Sequence, residues 1–298
     1  MMKKGILFLI FLGMMIALPK NVFALRNDNN VEMTQEQYNR LVEIFGEASV
    51  DGMSQEIFDI EKDKTYEYVG KQTIYVKSEY DIDFYGNVSD YVERLVTQEE
   101  YEMAYESFSD IALYGVNHET TYKKLTLKQY IVNVSSNGSY SLQFVLNNQW
   151  KIMPKVRSYD IIAFRFSNIV PTESTIWGQL KYSSSSNSNK IQNYDISSSG
   201  YNAPYVIGGF GISMKLPTST SVINMESTLS VTCDYRDNTY QVFGTYQHAS
   251  TAVGEAVSKE YIISSSGRGG VVKFNNSTVD SYYDHMQGVS ISISDNCN

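Results

Sequence analysis

Cysteine, histidine and long apolar runs are all scarce in this 298-residue chain, and each scarcity narrows what the protein can be. Its two cysteines, Cys233 and Cys297, permit at most one internal disulfide. The three histidines, His118, His248 and His285, form no His-Glu-x-x-His or similar metal arrangement, so no metal site and no cofactor are expected. No Gly-x-Ser-x-Gly elbow is present, which removes the local signature of a serine hydrolase. A paired-carboxylate glycosidase needs no local motif and stays open, although no particular acids stand out. After the first 24 residues no stretch approaches the ~20 apolar residues of a membrane-spanning helix. The formal net charge of −9 gives no electrostatic reason to bind nucleic acid or anionic lipid.

What is present begins with an export signal. Lys3 and Lys4 precede an apolar stretch from Gly5 to Leu18, and Val22-Phe23-Ala24 places small residues at the −3 and −1 cleavage positions. Residues 1–24 are therefore read as a signal peptide, with a secreted mature chain starting at Leu25. No cysteine follows that site, so lipid anchoring is not expected.

Charge is uneven along the mature chain. Residues 25–110 carry 21 acids against 7 basic residues, a net of −14, whereas residues 111–298 carry 12 acids and 14 basic residues, a net of +2. This step suggests a boundary near residue 110, between an acidic helix-and-hairpin part (25–110) and a β domain (111–298). Three related segments in the acidic part read as helix starts: Met33-Thr34-Gln35-Glu36-Gln37-Tyr38, Met53-Ser54-Gln55-Glu56-Ile57-Phe58 and Val96-Thr97-Gln98-Glu99-Glu100-Tyr101. In each a hydroxyl residue can cap free N–H groups, and an acid follows in the first turn. Gln37 and Glu100 stand where a capping box needs them. Between the second and third copies, residues 65–84 read as strand and turn at Gly86-Asn87. The carboxylates of Glu79, Asp81 and Asp83 on one strand face are read as a solvated edge and not as a calcium site.

From residue 119 onward the apolar period is two. Leu142, Phe144 and Leu146 alternate with Ser141 and Gln143, and Leu229, Val231 and Cys233 alternate with Ser230 and Thr232. Strands with one apolar and one Ser/Thr face predict antiparallel sheets half exposed to water. The fold class expected is mainly β, an antiparallel β-sandwich or jelly-roll-like domain preceded by a smaller acidic α+β part. Cys233 and Cys297 share the apolar parity of their strands, which makes a disulfide between them one expectation and two free buried thiols the other.

The segments Glu119-Thr120-Thr121-Tyr122-Lys123-Lys124-Leu125 and Trp150-Lys151-Ile152-Met153-Pro154-Lys155-Val156-Arg157-Ser158-Tyr159-Asp160 resemble those of uncharacterised secreted proteins of Gram-positive, gut-associated bacteria. The resemblance covers most of the mature chain. It implies a bacterial, extracellular protein and carries over no functional residues.

The functional expectation is non-catalytic binding outside the cell or in its envelope, with a glycan or a protein as partner. Trp150 and Trp177 are the candidate ligand residues, because an exposed aromatic on a β scaffold can stack on a sugar ring. The alternative classes are a β-pore former and a hydrolase without a local motif. The pore reading rests on residues 227–250, whose alternation over membrane-length arms suits an inserting hairpin.

Overall fold

The computed structural model describes residues 24–83, 88–104, 117–133, 140–185, 189–205, 208–234 and 239–293, so residues 1–23 of the signal segment and Cys297 lie outside the described residues. Two compact units meet in sequence between Lys62 and Asp63.

The first unit is small and α+β. Strands β1 (Ala24–Arg26) and β2 (Glu32–Thr34) pair antiparallel. Helices α1 (Gln35–Phe45), α2 (Glu47–Asp51) and α3 (Gln55–Glu61) follow. The Asn27 amide donates to the Val50 and Met53 carbonyls at 2.9 and 2.8 Å, and its oxygen accepts from the Asn29 and Val31 amides. One buried side chain thereby ties the hairpin turn to the end of α2. Thr34 caps α1 in a full capping box with Gln37, and Ser54 caps α3 through the Ile57 amide. Gly46, at φ 85°, lets the chain break between α1 and α2. Leu41, Ile44, Phe45, Val50, Met53, Ile57 and Phe58 are buried, as their helical spacing requires.

The second unit is an antiparallel β-sandwich. Its larger sheet has the order β10 (Asn189–Asp195), β9 (Trp177–Ser184), β13 (Val222–Asp234), β6 (Ser141–Ile152), β5 (Asn117–Val132), β3 (Tyr66–Ile82), β4 (Val88–Val96). The short β8 (Val170–Pro171) also pairs with β13. The smaller sheet runs β11 (Tyr201–Tyr205), β12 (Gly209–Lys215), β7 (Tyr159–Ser167), β14 (Tyr240–Gln247), β17 (Val289–Ile293). Leu125, Leu127, Phe144, Leu146, Leu229 and Val231 from the first sheet share one core with Phe164, Phe210, Ile212 and Val242 from the second. At Gly244 a Cβ would stand 2.7 Å from Leu146 Cδ1, so only glycine admits that leucine from the facing sheet.

Three sequence expectations are corrected here. The division does not follow the charge step near residue 110. Strand β3 pairs with β5 from Tyr66↔Val132 to Ile82↔Asn117, which binds the acidic hairpin into the large sheet. Helix α4 (Gln98–Met103), capped by Thr97, belongs to this unit too; Glu100 bonds to Arg94 and not back to its cap. Second, residues 227–250 are not a hairpin: β13 pairs with β6, β8 and β9, whereas β14 pairs with β7 and β17 in the other sheet.

Third, the Ser/Thr faces are not wet. Gln143, Ser230 and Thr232 are buried, Gln143 donates to Ser230 at 2.9 Å, and Lys64 donates to Gln143 and Thr232 at 3.0 and 2.8 Å. The smaller sheet is also covered. The hairpin β15 (Tyr261–Arg268)–β16 (Val272–Phe274) and helices α5 (Glu255–Ser258) and α6 (Ser277–Asp280) pack Val257, Tyr261, Val272, Phe274 and Val279 with Ile161 and Ala163 on the outer face of β7. Burial on both faces explains the unbroken apolar run Ile161-Ile162-Ala163-Phe164.

Candidate functional site

Strand register assembles a polar end inside the sandwich. Across the large sheet, Glu93 of β4 stands opposite Ser78 of β3, which stands opposite Thr121 of β5. One step along, Val76 of β3 faces Lys123 of β5, and Lys123 faces Trp150 of β6. Period two carries these side chains into the interior with Leu125 and Leu127, so the same face changes from apolar to charged along its length. From the opposite side come Asp160 at the start of β7, Tyr246 on β14, His248 just beyond it, and Asp284 after α6.

These groups form one chain of contacts. Lys123 makes an ion pair with Asp284, both almost wholly buried, and its ammonium lies 5.4 Å from the centroid of the Trp150 ring. The Trp150 indole donates to the Tyr246 hydroxyl at 3.2 Å, and that hydroxyl donates to Asp160 Oδ2 at 2.5 Å. His248 Nδ1 lies 3.0 Å from both Asp160 oxygens, and the Ala249 amide donates to Oδ1 at 3.0 Å. The carboxylate accepts, so Nδ1 is the donating nitrogen and Nε2 is left for another partner. That Nε2 is buried with no hydrogen bond among the described residues, as are both polar atoms of the Asn148 side chain. Asn148 precedes Trp150 by two residues on β6 and so shares its face.

Tyr91 and Glu93 are half-buried on β4, and the Tyr91 hydroxyl donates to Glu93 at 3.0 Å. The Tyr91 ring stacks on that of buried Tyr80 with centroids 5.7 Å apart. Burial pushes the Glu93 carboxyl up to about 7; nearby Lys123 lowers it and Asp284 raises it. Burial opposes the Lys123 ammonium, yet Asp284 and Glu93 outweigh it and hold its pKa above that of an ordinary lysine. The Tyr91 and Tyr246 phenols are driven well above their usual range, chiefly by burial. A buried charged pair costs desolvation that its mutual attraction only partly offsets. Such groups with displaced pKa values mark a candidate site.

The residues singled out from sequence stand differently. Trp150 and Trp177 are 2% and 0% exposed, so neither offers a ring face to a sugar. Trp150 points into the interior beside Lys123, and Trp177 lies opposite Ser230 on the covered outer face of the large sheet. Cys233 is a buried free thiol in the apolar core, its pKa pushed well above the usual value by burial and by Asp234. Its expected disulfide partner, Cys297, lies outside the described residues. Glu79 pairs with Lys77 at 2.7 Å and Asp81 bonds to His118 at 2.9 Å, so these two carboxylates of β3 are already engaged by side chains of the chain itself.

Sequence reasoning gives Lys123 and Glu93 no role and reads Asp160 only as a turn partner for Arg157, which instead donates to the Pro154, Pro217 and Ser219 carbonyls; yet a signal existed. Lys123 is in phase with Leu125 and Leu127, and Asp160 with Ile162, Phe164 and Phe166. A charge in phase with an apolar run is buried by period two and has to find partners inside.

No protein-family model matches the chain, and no curated protein matches it. Among solved structures, it is similar to the enzymatically active domain of tailspike protein 4 of bacteriophage CBA120. Identity is 8% and the TM-score 0.21, over 65% of this chain and 21% of that one. A second similar structure is described as the complete manganese lipoxygenase of Gaeumannomyces graminis with partial zonadhesin of Komagataella pastoris. There identity is 8% and the TM-score 0.26, over 77% of this chain and 84% of that one. Likenesses of this size carry no argument about function, and the chain spans about a fifth of the tailspike's length.

Proposed function

We propose that the protein is exported and binds a glycan at the polar end of its sandwich, without catalysis. Export rests on the amino-terminal sequence alone. The observations that carry the glycan reading are two buried polar groups without partners among the described residues, His248 Nε2 and the Asn148 amide, and the half-buried pair Tyr91 and Glu93. Sugar hydroxyls both donate and accept, which suits an imidazole nitrogen, an amide and a carboxyl. Tyr91, backed by Tyr80, takes the stacking role that sequence reasoning gave to the tryptophans. Binding is favoured over chemistry because Lys123, Asp284 and Asp160 are wholly buried and already engaged with one another or with neighbouring side chains. The membrane-pore reading loses its motive, since its hairpin is divided between two sheets.

A second reading, cleavage of the same glycan, is favoured by one arrangement: the Asp160–His248 dyad with Nε2 unpartnered, and a Glu93 carboxyl whose pKa lies near neutrality. A glycan array probed with the purified protein tests the first reading. Retention of a defined glycan, uncleaved and lost about tenfold in affinity on Glu93→Gln, is the expected result. Shortened products would favour cleavage. No retained glycan, or retention indifferent to Glu93→Gln, would overturn the proposal.

A further inference from the structure

The Lys123–Asp284 pair is dry on both sides: its two side chains are 1% and 0% exposed. Lys155 and Glu119 also touch, but there the lysine is 54% exposed and its ammonium stays solvated. Each charge of the dry pair has lost its hydration, and mutual attraction only partly offsets that cost. One reaction removes both charges at once: condensation of the amine with the carboxyl to give an amide.

The structure holds the two groups where that reaction needs them. Register sets Lys123 on β5 between Val76 and Trp150, and its Nζ is in contact with Asp284 Oδ2. Asp284 is fixed through its main chain, whose amide donates to the His248 carbonyl at 2.9 Å. Its Oδ1 accepts from the Met286 amide at 3.5 Å, which leaves Oδ2 to face the lysine. Holding amine and carboxyl together turns a bimolecular encounter into an intramolecular one. Exclusion of water also protects the product from hydrolysis. A proton carrier lies within electrostatic reach: the charges of Lys123 and Asp284 both act on Glu93, and burial raises that carboxyl to about 7.

We propose that Lys123 and Asp284 condense into an intramolecular isopeptide bond, with Glu93 carrying the protons. The amine arises within the pair, when Lys123 passes one proton to Asp284 and both become neutral. The nitrogen lone pair attacks Cγ of Asp284 and forms the C–N bond. Glu93 gives its proton to the departing Oδ2 hydroxyl, the C–O bond breaks, and one water leaves. The Glu93 carboxylate then takes the surplus proton from nitrogen and ends as it began. An ammonium and a carboxylate thus become one amide and one water, and the balance needs no other reactant. The bond ties β5 to the segment before β17, across 161 positions of sequence. Until it forms, the two groups remain the buried ion pair described above. This goes beyond the glycan reading and does not rest on it.

Intact-mass measurement of the purified full chain, unfolded in denaturant, tests the bond directly. Folded protein kept in buffer until its mass stops changing should weigh one water less than its sequence requires. Proteolysis should release a branched peptide that fragmentation assigns to Lys123 and Asp284. Lys123→Arg should keep the full mass. Glu93→Gln, scored only on material that circular dichroism shows to be folded, should form the bond about a hundredfold more slowly. The mass of the unaltered chain decides the matter even where a variant fails to fold. A chain that keeps its full mass, or a missing water that fragmentation places elsewhere, would overturn the bond. A folded Glu93→Gln chain that links as fast as the unaltered one would overturn the part given to Glu93.

Discussion

The two ends of the sandwich interior are built on the same strands and held by different physics. Along β5 and β6, Leu125, Leu127, Phe144 and Leu146 meet Phe164, Phe210 and Val242 from the facing sheet in a dry, close-packed layer. A few residues along the same strands, Lys123 and Trp150 meet Asp284, Tyr246, His248 and Asp160. The apolar end is stabilised in proportion to area and tolerates changes of shape. Stability at the polar end depends on particular partners, and removing one leaves the other stranded. It also anchors irregular chain: Asp284 donates its amide to the His248 carbonyl at 2.9 Å, and Ser250 donates its amide to the Tyr282 carbonyl at 2.8 Å. Proteins place function where local stability has been sacrificed, and the charged end, where we propose that the ligand binds, is such a place.

Breaking the Lys123–Asp284 pair is the largest expected effect. Asp284→Leu strands an ammonium in the interior and should destabilise the protein by about 3–5 kcal/mol in urea unfolding. The double variant Lys123→Met with Asp284→Leu should recover most of that loss. At the apolar end, the substitution Leu146→Ala should cost about 2–5 kcal/mol, and no neighbouring substitution should rescue it by restoring a partner. Equal rescue at both ends would erase the distinction.

A smaller effect should follow pH. The Glu93 carboxyl stands at about 7 in the folded chain, against an ordinary value near 4.5. A raised acid binds its proton more tightly when folded, so its contribution is fully present below about 4.5 and is lost as pH rises to about 7. The expected decline across that window is on the order of 3 kcal/mol. Glu93→Gln should flatten this part of the pH profile, with Leu146→Ala leaving its slope unchanged. Stability that rises across the window because of Glu93 would contradict the assignment.

Much of the frame was legible in the sequence. The Thr34, Ser54 and Thr97 segments do begin helices, because capping is a local interaction that needs no tertiary partner. Period two revealed the strands of the sandwich for the same reason. What failed was long-range. Which sheet a strand joins is not written in its period, so β13 and β14 read as one hairpin although they lie in separate sheets. The charge step near residue 110 reflects composition, whereas the division at Lys62 reflects pairing of β3 with β5. The site was missed because its members come from β4, β5, β6, β7, β14 and the segment after α6, with no two adjacent in a motif. Trp150 was noticed for the surface and belongs to the interior, where it bridges Lys123 and Tyr246.

The most direct test of a ligand site at the charged end is the nitrogen spectrum of His248 during titration with the tightest glycan from the array. Saturable movement of the Nε2 resonance, lost in Glu93→Gln, is the expected result, because Nε2 is the imidazole nitrogen that Asp160 leaves without a partner. A His248 Nε2 resonance unchanged at saturating glycan would place the ligand elsewhere and contradict the claim.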